Sequence, residues 1–383
     1  ELTASGGIID EQEQNWYPSE QFKNASENAE LNVRKDLKTK EDFETIRDFL
    51  RPVMVSIQNS KRVMFDGPIF QNSPAWCLHP FIVEDLIVRN TTVRNPWYSQ
   101  NGDGIDIDAC KNVLVENCSF DVGDDAICIK SGKDEDGRLQ GKPCENLIIR
   151  DNIVYHGHGG VTVGSEMSGG VKNMHVSNCL FMGTDVGLRF KSKRGRGGVV
   201  ENIYISNISM TDIPTNAISF NLYYGGKSVS EMLEDGDIIE EQKLLPVTEE
   251  TPQFKNIYIE NILIKGANQA VFLQGLPEMN LENISISKLL GQAINGFSVI
   301  DANGVKIKDV ELITAVAPVM SFYNVKNVQA EGLKLQDFPT PVIAISGEQT
   351  EQLEFNIKSK KRNDELVELG ENVKPEVVEI INE

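Results

Sequence analysis

A short alternating pattern recurs along this chain. NVLVEN begins at Asn112, and NLIIRD, NMHVSN, NIYISN and NIYIEN begin at Asn146, Asn173, Asn202 and Asn256. Weaker copies, RVMFDG and DLIVRN, precede them at Arg62 and Asp85, and EMNLEN, GVKIKD and NVQAEG follow at Glu278, Gly304 and Asn327. Within each copy polarity alternates from one place to the next, the period of a strand with one face inside. Most copies close on Asn or Asp, whose side chains bond to local backbone and support a bend. Helical periodicity is scarce. The intervals from Arg62 onward are 23, 27, 34, 27, 29, 54, 22, 26 and 23 residues, and the 54 reads as two coils, one bearing an insertion. A strand, a turn and further strand at this spacing predict an all-β fold, a right-handed single-stranded parallel β-helix whose coils bury their inward faces on one another. A β-propeller would need blades of about 40 to 50 residues.

The pattern predicts a single solenoid domain over 1–383, interrupted in three places. Residues 10–50 are polar with room for a short helix, residues 225–255 are acidic, and 351–383 form a charged tail. The first two read as long loops leaving the solenoid, either functional or simply solvated. Near the start, TASGGIIDEQEQNW already reads as an internal coil, so an N-terminal cap is expected to be missing.

Charge and composition narrow the partners. With 37 Lys and Arg against 57 Asp and Glu, the net charge of −20 argues against nucleic acid or an anionic membrane as main partner. No apolar run approaches the ~20 residues of a membrane span. The opening ELTASGGIID lacks the layout of a signal peptide, which leaves a removed leader open. All six cysteines fall in the first half, without zinc-ligand spacing; Cys118 and Cys179 lie in strand-like contexts that favour buried thiols over a disulfide framework.

Against that acidic background, four clusters share a phase within the repeat. Asp103 lies 18 residues after Asp85, Asp124 and Asp125 lie 12 and 13 after Asn112, His158 lies 12 after Asn146, and Arg189 and Lys191 lie 16 and 18 after Asn173. If coils stack about 4.8 Å apart, NGDGID, GDD, GHGG and RFK form one column over roughly 15 Å. Three aspartates so close cannot ionise independently, so one should hold a proton near neutral pH. A protonated acid beside ionised carboxylates is the equipment of glycoside hydrolysis. Taken alone, NGDGID reads first as a turn made by its Asp-Gly pairs; the shared phase of four clusters is what argues for chemistry. Calcium bound by Asp103, Asp106 and Asp108 is a further alternative, opposed by the positive charge of His158, Arg189 and Lys191. Arg189 and Lys191 share parity and can face the column to grip a carboxylate, whereas Lys193, Arg194 and Arg196 read as a solvated turn. His158, between glycines, suits a role beside the acid; His79, His156 and His175 have structural readings.

The ordered set NGDGID, GDDAI, GHGG and RFK resembles glycoside hydrolase family 28, the polygalacturonases, whose usual motifs are Asn-Thr-Asp, Asp-Asp, Gly-His-Gly and Arg-Ile-Lys. The likeness extends over roughly residues 52–340, and GSEMSGGVKN at 164–173 looks like exo-acting bacterial members. The resemblance implies that Asp124 is the general acid, that Asp103 and Asp125 hold and activate water, and that His158 assists the acid. It implies that Arg189 and Lys191 bind a galacturonate carboxylate, with Asn101 supporting the site. A substrate tyrosine would be Tyr223 or Tyr224. Gly102 replaces the usual Thr and Phe190 the usual Ile. The expected reaction is inverting hydrolysis of α-1,4 galacturonosidic bonds of pectin, exo-acting, with carboxyls about 6.5 to 9.5 Å apart and no metal or cofactor. Rhamnogalacturonan hydrolysis, a calcium-dependent lyase and a non-catalytic carbohydrate-binding solenoid stand as alternatives. The family implies a secreted or periplasmic protein acting on a pectic polysaccharide.

Overall fold

Alternation over four to six residues predicts short strands; in the computed structural model short strands stack rung upon rung early in the chain, and in later rungs they run on continuously around the corners, as over Val199–Asn221. The structure describes residues 2–5, 8–10, 51–224, 244–359, 361–370 and 372–382. Among them every strand pairing is parallel, and each strand pairs with its counterpart in the next rung, which is the right-handed parallel β-helix. The repeat strands build one face: Lys61–Asp66, Glu84–Arg89, Lys111–Glu116, Cys144–Arg150 and onward to Val378–Asn382. A second face starts with Ile69–Gln71, Thr92–Arg94 and Ser119–Asp121. The third, which carries the chemistry, includes Leu78–Phe81, Ile105–Asp108, Asp125–Lys130 and Thr184–Lys191.

Inside, like residues stack on like. Val63, Leu86, Val113, Leu147, Met174, Ile203 and Ile257 form one buried ladder. Only the second and fourth places of a repeat point inward; the sixth turns the corner and is exposed in NVLVEN. Both corners take the left-handed conformation: Asn112, Asn146, Asn173, Asn202 and Asn256 open their strands at φ of 54–60°. Asn90, Asn117, Asp151, Asn178, Asn207 and Asn261 close theirs at 52–58°. Asparagine is among the few residues that tolerate this region. Its amide also links rungs, as Asn146 Nδ2 donates to Asn112 Oδ1 at 3.1 Å and Asn207 Nδ2 to Asn178 Oδ1 at 3.0 Å. The opening asparagine is therefore as structural as the closing one, a point the alternation does not show.

Three expectations are corrected. The 54-residue interval is a single rung, because Tyr204 aligns directly with Tyr258 and Val199 with Gln253; the excess length is all excursion. The weak copy after it begins at Asn283, aligned with Gly304, and not at Glu278, which instead pairs with Arg194. The segment 351–383 is no loose tail: Glu351–Ile357 and Val378–Asn382 continue the first face and Val367–Leu369 the third. Leu353, Phe355 and Ile357 point into the core while the charges point out, so alternation survives beneath a high charge density. The excursion reading of 10–50 falls, from residue 11 on, outside the described residues, as does that of 225–243. Residues 244–249 are exposed before the chain rejoins at Gln253–Gln274. All six cysteines are buried thiols. No helix among the described residues is long and apolar enough to cross a membrane.

Candidate active site

Where most strands bury one face, Ile105–Asp108 and Asp125–Lys130 are buried on both. The column they begin runs outward through Asp106, Cys128, Thr162 and Arg189 in register. Two residues further along their strands, Asp108 aligns with Lys130, and Gly164 with Lys191. Tight stacking is assisted at Gly159, where an added Cβ would meet Thr162 Oγ1 and the Asp125 carboxylate.

Asp125 is the hub. Its Oδ1 accepts from Thr162 Oγ1 at 2.9 Å and from Arg189 at 3.1 Å, and its Oδ2 accepts from Lys191 Nζ at 2.8 Å. Burial opposes its ionisation, yet Lys191 and Arg189 outweigh that and hold its carboxyl well below the usual range. Asp124 is turned toward the opening, with Oδ1 3.2 Å from His158 Nδ1 and accepting from the Asp125 backbone N–H at 2.9 Å. That contact raises the pKa of the exposed His158, helped by Asp185, whose carboxylate lies 3.7 Å from Nε2.

Asp103 is buried and its Oδ1 has no hydrogen-bond partner. Burial, reinforced by Asp106 and Asp124 and opposed by Lys130, pushes its carboxyl well up. One oxygen each from Asp103, Asp124 and Asp125 lies within 4.8 Å of the others. At closest approach this is tighter than the separation of about 6.5 to 9.5 Å expected for an inverting pair, because adjacent residues and adjacent rungs supply all three.

Sequence reasoning undervalued a second layer. Fully buried Asp106 is pushed up to about 6 by burial, restrained by Lys130, whose Nζ lies 3.2 Å from Oδ1. Lys130 also lies 3.5 Å from Glu166 and 4.0 Å from the Trp76 ring centre. The signal was present, since Asp106 closes NGDGID and Lys130 follows GDDAI at the same outward parity. Asp108, the third member of the calcium alternative, turns to His79 at 3.5 Å and accepts from Gly132 N–H, apart from Asp103 and Asp106. Among the described residues, the groupings able to approach a cation are Asp103 with Asp106 and Cys128, and Asp103 with Asp124 and Asp125. Lys130 opposes a cation at the first, and Lys191 and Arg189 oppose one at the second.

The remaining residues divide. Tyr224 joins the site, with Lys191 Nζ 5.0 Å and Arg189 Cζ 5.8 Å from its ring centre. Tyr223 points away and is buried beside Arg194, 5.3 Å from its ring, and burial pushes its hydroxyl up to about 12. Exposed Asn101 accepts from Arg51 at 3.0 Å. The basic turn is not simply solvated: Arg194 holds Glu278 through two bonds of 2.6 and 2.8 Å, and buried Arg196 reaches Ser165 O and Asp134. Lys193 alone of the three is exposed. Phe190 stacks on Phe220 at 4.3 Å in the core, a packing role.

The chain is similar to known proteins in sequence and fold. A sequence profile, glycosyl hydrolases family 28, matches residues 2–262. A probable polygalacturonase of Vitis vinifera is 29% identical over 63% of this chain and 46% of its own length. An exo-poly-alpha-D-galacturonosidase of Dickeya chrysanthemi is 26% identical over 66% and 41%. The chain thus spans less than half the length of these curated relatives. The crystal structure of a hyperthermoactive exopolygalacturonase from Thermotoga maritima superposes with a TM-score of 0.63 and 31% identity, covering 76% of this chain and 65% of that one. With two thirds of its length under the profile and its carboxylates gathered on one face of the solenoid, the chain belongs to family 28 of the glycosyl hydrolases.

Proposed function

We propose that this protein hydrolyses α-1,4 galacturonosidic bonds of pectic polysaccharide with inversion, releasing units from a chain end. The observation that carries the reading is the gathering of three carboxylates within 4.8 Å in three settings: Asp125 is clamped by two cations, Asp103 is buried, and Asp124 opens to solvent against His158. Asp124, partnered by His158, donates a proton to the leaving oxygen. Asp103, in its ionised form, takes the proton of the attacking water, which Asp125 orients. Arg189 has guanidinium donors beyond its bond to Asp125, and with Tyr224 it receives the carboxylate and ring of a galacturonate. Lys191 chiefly keeps Asp125 ionised. Exo action is supported by the two exo-acting relatives, and a polymeric substrate supports a secreted or periplasmic setting.

Asp124→Asn tests this directly. Loss of the general acid should lower kcat on polygalacturonate by about 10²- to 10⁴-fold with an unchanged circular dichroism spectrum. Retention of more than about a tenth of the rate would refute the assignment. With the unmodified protein, monomer as the first product marks end attack, whereas an early ladder of oligomers marks internal cleavage.

A further inference from the structure

Trp97 and Tyr98 are exposed at 70% and 58%, the most exposed aromatic side chains among the described residues. They occupy the two central positions of a β-turn closed by Ser99 N–H donating to Pro96 O at 2.9 Å, where glycine and small polar residues are the rule. Their rings meet edge to face, 5.7 Å apart. A second turn follows at once, with Gly102 N–H donating to Ser99 O at 3.2 Å.

The double turn is fastened to the catalytic rungs. Buried Asn95 accepts from Ser73 N–H at 3.0 Å and donates to Gly102 O and Asp103 O at 3.1 and 3.3 Å. Arg51 reaches Gln100 O and Asn101. Gly123, immediately before Asp124, donates to Gly102 O at 3.3 Å, and a Cβ there would collide with the carbonyl oxygens of Ser99 and Pro96. A Cβ at Gly102 would collide with Ser99 Oγ. Gly102 is the position where this chain departs from Asn-Thr-Asp, and the collision supplies a reason: a threonine beneath this turn would have to displace Ser99.

We propose that Trp97 and Tyr98 form a stacking platform for a pyranose ring of the pectic chain, on the flank of the carboxylates opposite Lys191 and Tyr224. The platform belongs to the rung of Asp103; Lys191 lies three rungs on, through Ile105, Ile127, Val161 and Leu188. At ~4.8 Å per rung the two backbones stand about 14 Å apart; the Lys191 ammonium reaches back to within 2.8 Å of Asp125, so a chain touching both flanks passes over the carboxylates. The C–H face of a pyranose is apolar and packs on an aromatic ring without stripping water from a charge. Beside a carboxylate cluster, such a contact holds an anionic chain without any counter-charge. It accepts a methyl-esterified or neutral unit as readily as a galacturonate. The proposal rests on the reading of this groove as a pectin-cleaving site.

The test is calorimetric titration of a galacturonate pentamer into Asp124→Asn protein, with and without Trp97→Ala and Tyr98→Ala. The double alanine change should weaken binding about tenfold, the loss staying constant between about 0.05 and 0.5 M salt. Phenylalanine at both positions should restore affinity to within about twofold, because the ring face is what binds. Equal affinity of parent and alanine variant, or a loss that phenylalanine does not restore, overturns the platform alone. Failure of the parent to bind the pentamer overturns the substrate reading and the platform together.

Discussion

Two stretches of the third face share one architecture and differ in what points outward. From Asp106 through Cys128, Thr162 and Arg189, the outward column has a charged residue at each end and is buried at all but the half-buried Arg189. Continued in register, the same column becomes Ser219, Phe272, Ser298, Ser321, Ala344 and Glu368. Strands Met320–Tyr323 and Ile343–Ser346 show ordinary alternation, buried inside and half-buried outside. Their inner ladders are equally apolar, so the rungs stack for the same hydrophobic reason in both stretches. The scaffold is thus indifferent to its outward residues, and the chemistry is confined to rungs where outward charges are buried against each other.

That contrast can be broken most severely at Asp125. Asp125→Ala leaves Lys191 and Arg189 without their carboxylate, and should cost about 3 to 5 kcal/mol in denaturant unfolding as well as abolish hydrolysis. A loss below about 1 kcal/mol would mean that the cations find other partners and that the hub is not structural.

An intermediate effect is expected at Asp106. In the folded protein it keeps its proton up to about pH 6, against 3.8 ordinarily. The unfolded chain therefore releases that proton first as pH rises, and stability should fall across this window. Asp106→Asn should flatten the fall in thermal unfolding measured over that range. Asp106 also raises Asp103, so the acid limb of kcat/KM should move to lower pH in the same variant. An unmoved limb would argue against Asp103 as the base.

The smallest change belongs to the neutral stretch. Ser321→Ala, half-buried at the same column position as Asp106, should alter stability by less than about 0.5 kcal/mol and leave the rate untouched.

Much of this was legible in the chain, for identifiable reasons. Alternation located the repeat strands, and a shared phase brought Asp103, Asp124, Asp125, His158, Arg189 and Lys191 to one groove, because parallel stacking converts phase into proximity. Reading failed where phase carries no information. Nothing in a spacing of 54 distinguishes two rungs from one with a long excursion, and only pairing of Tyr204 with Tyr258 resolves it. Which tyrosine faces the groove depends on the backbone leaving the strand after Asn221, where Tyr223 N–H turns back to the Asn221 side chain. That Arg189 and Lys191 both bond Asp125 is likewise a pairing that their spacing does not show. Residue type shows a charge, while its neighbour is settled in three dimensions.

The corner asparagines carry a last consequence. Each amide bridges only to the tier before or after its own, so cohesion is local, and a tier flanked on both sides is held twice as firmly as a terminal one. Fraying must then begin at the extremities of the column and travel inward. The carboxylates occupy interior tiers, where thermal loosening arrives last, and their spacing is insulated from whatever happens at either end.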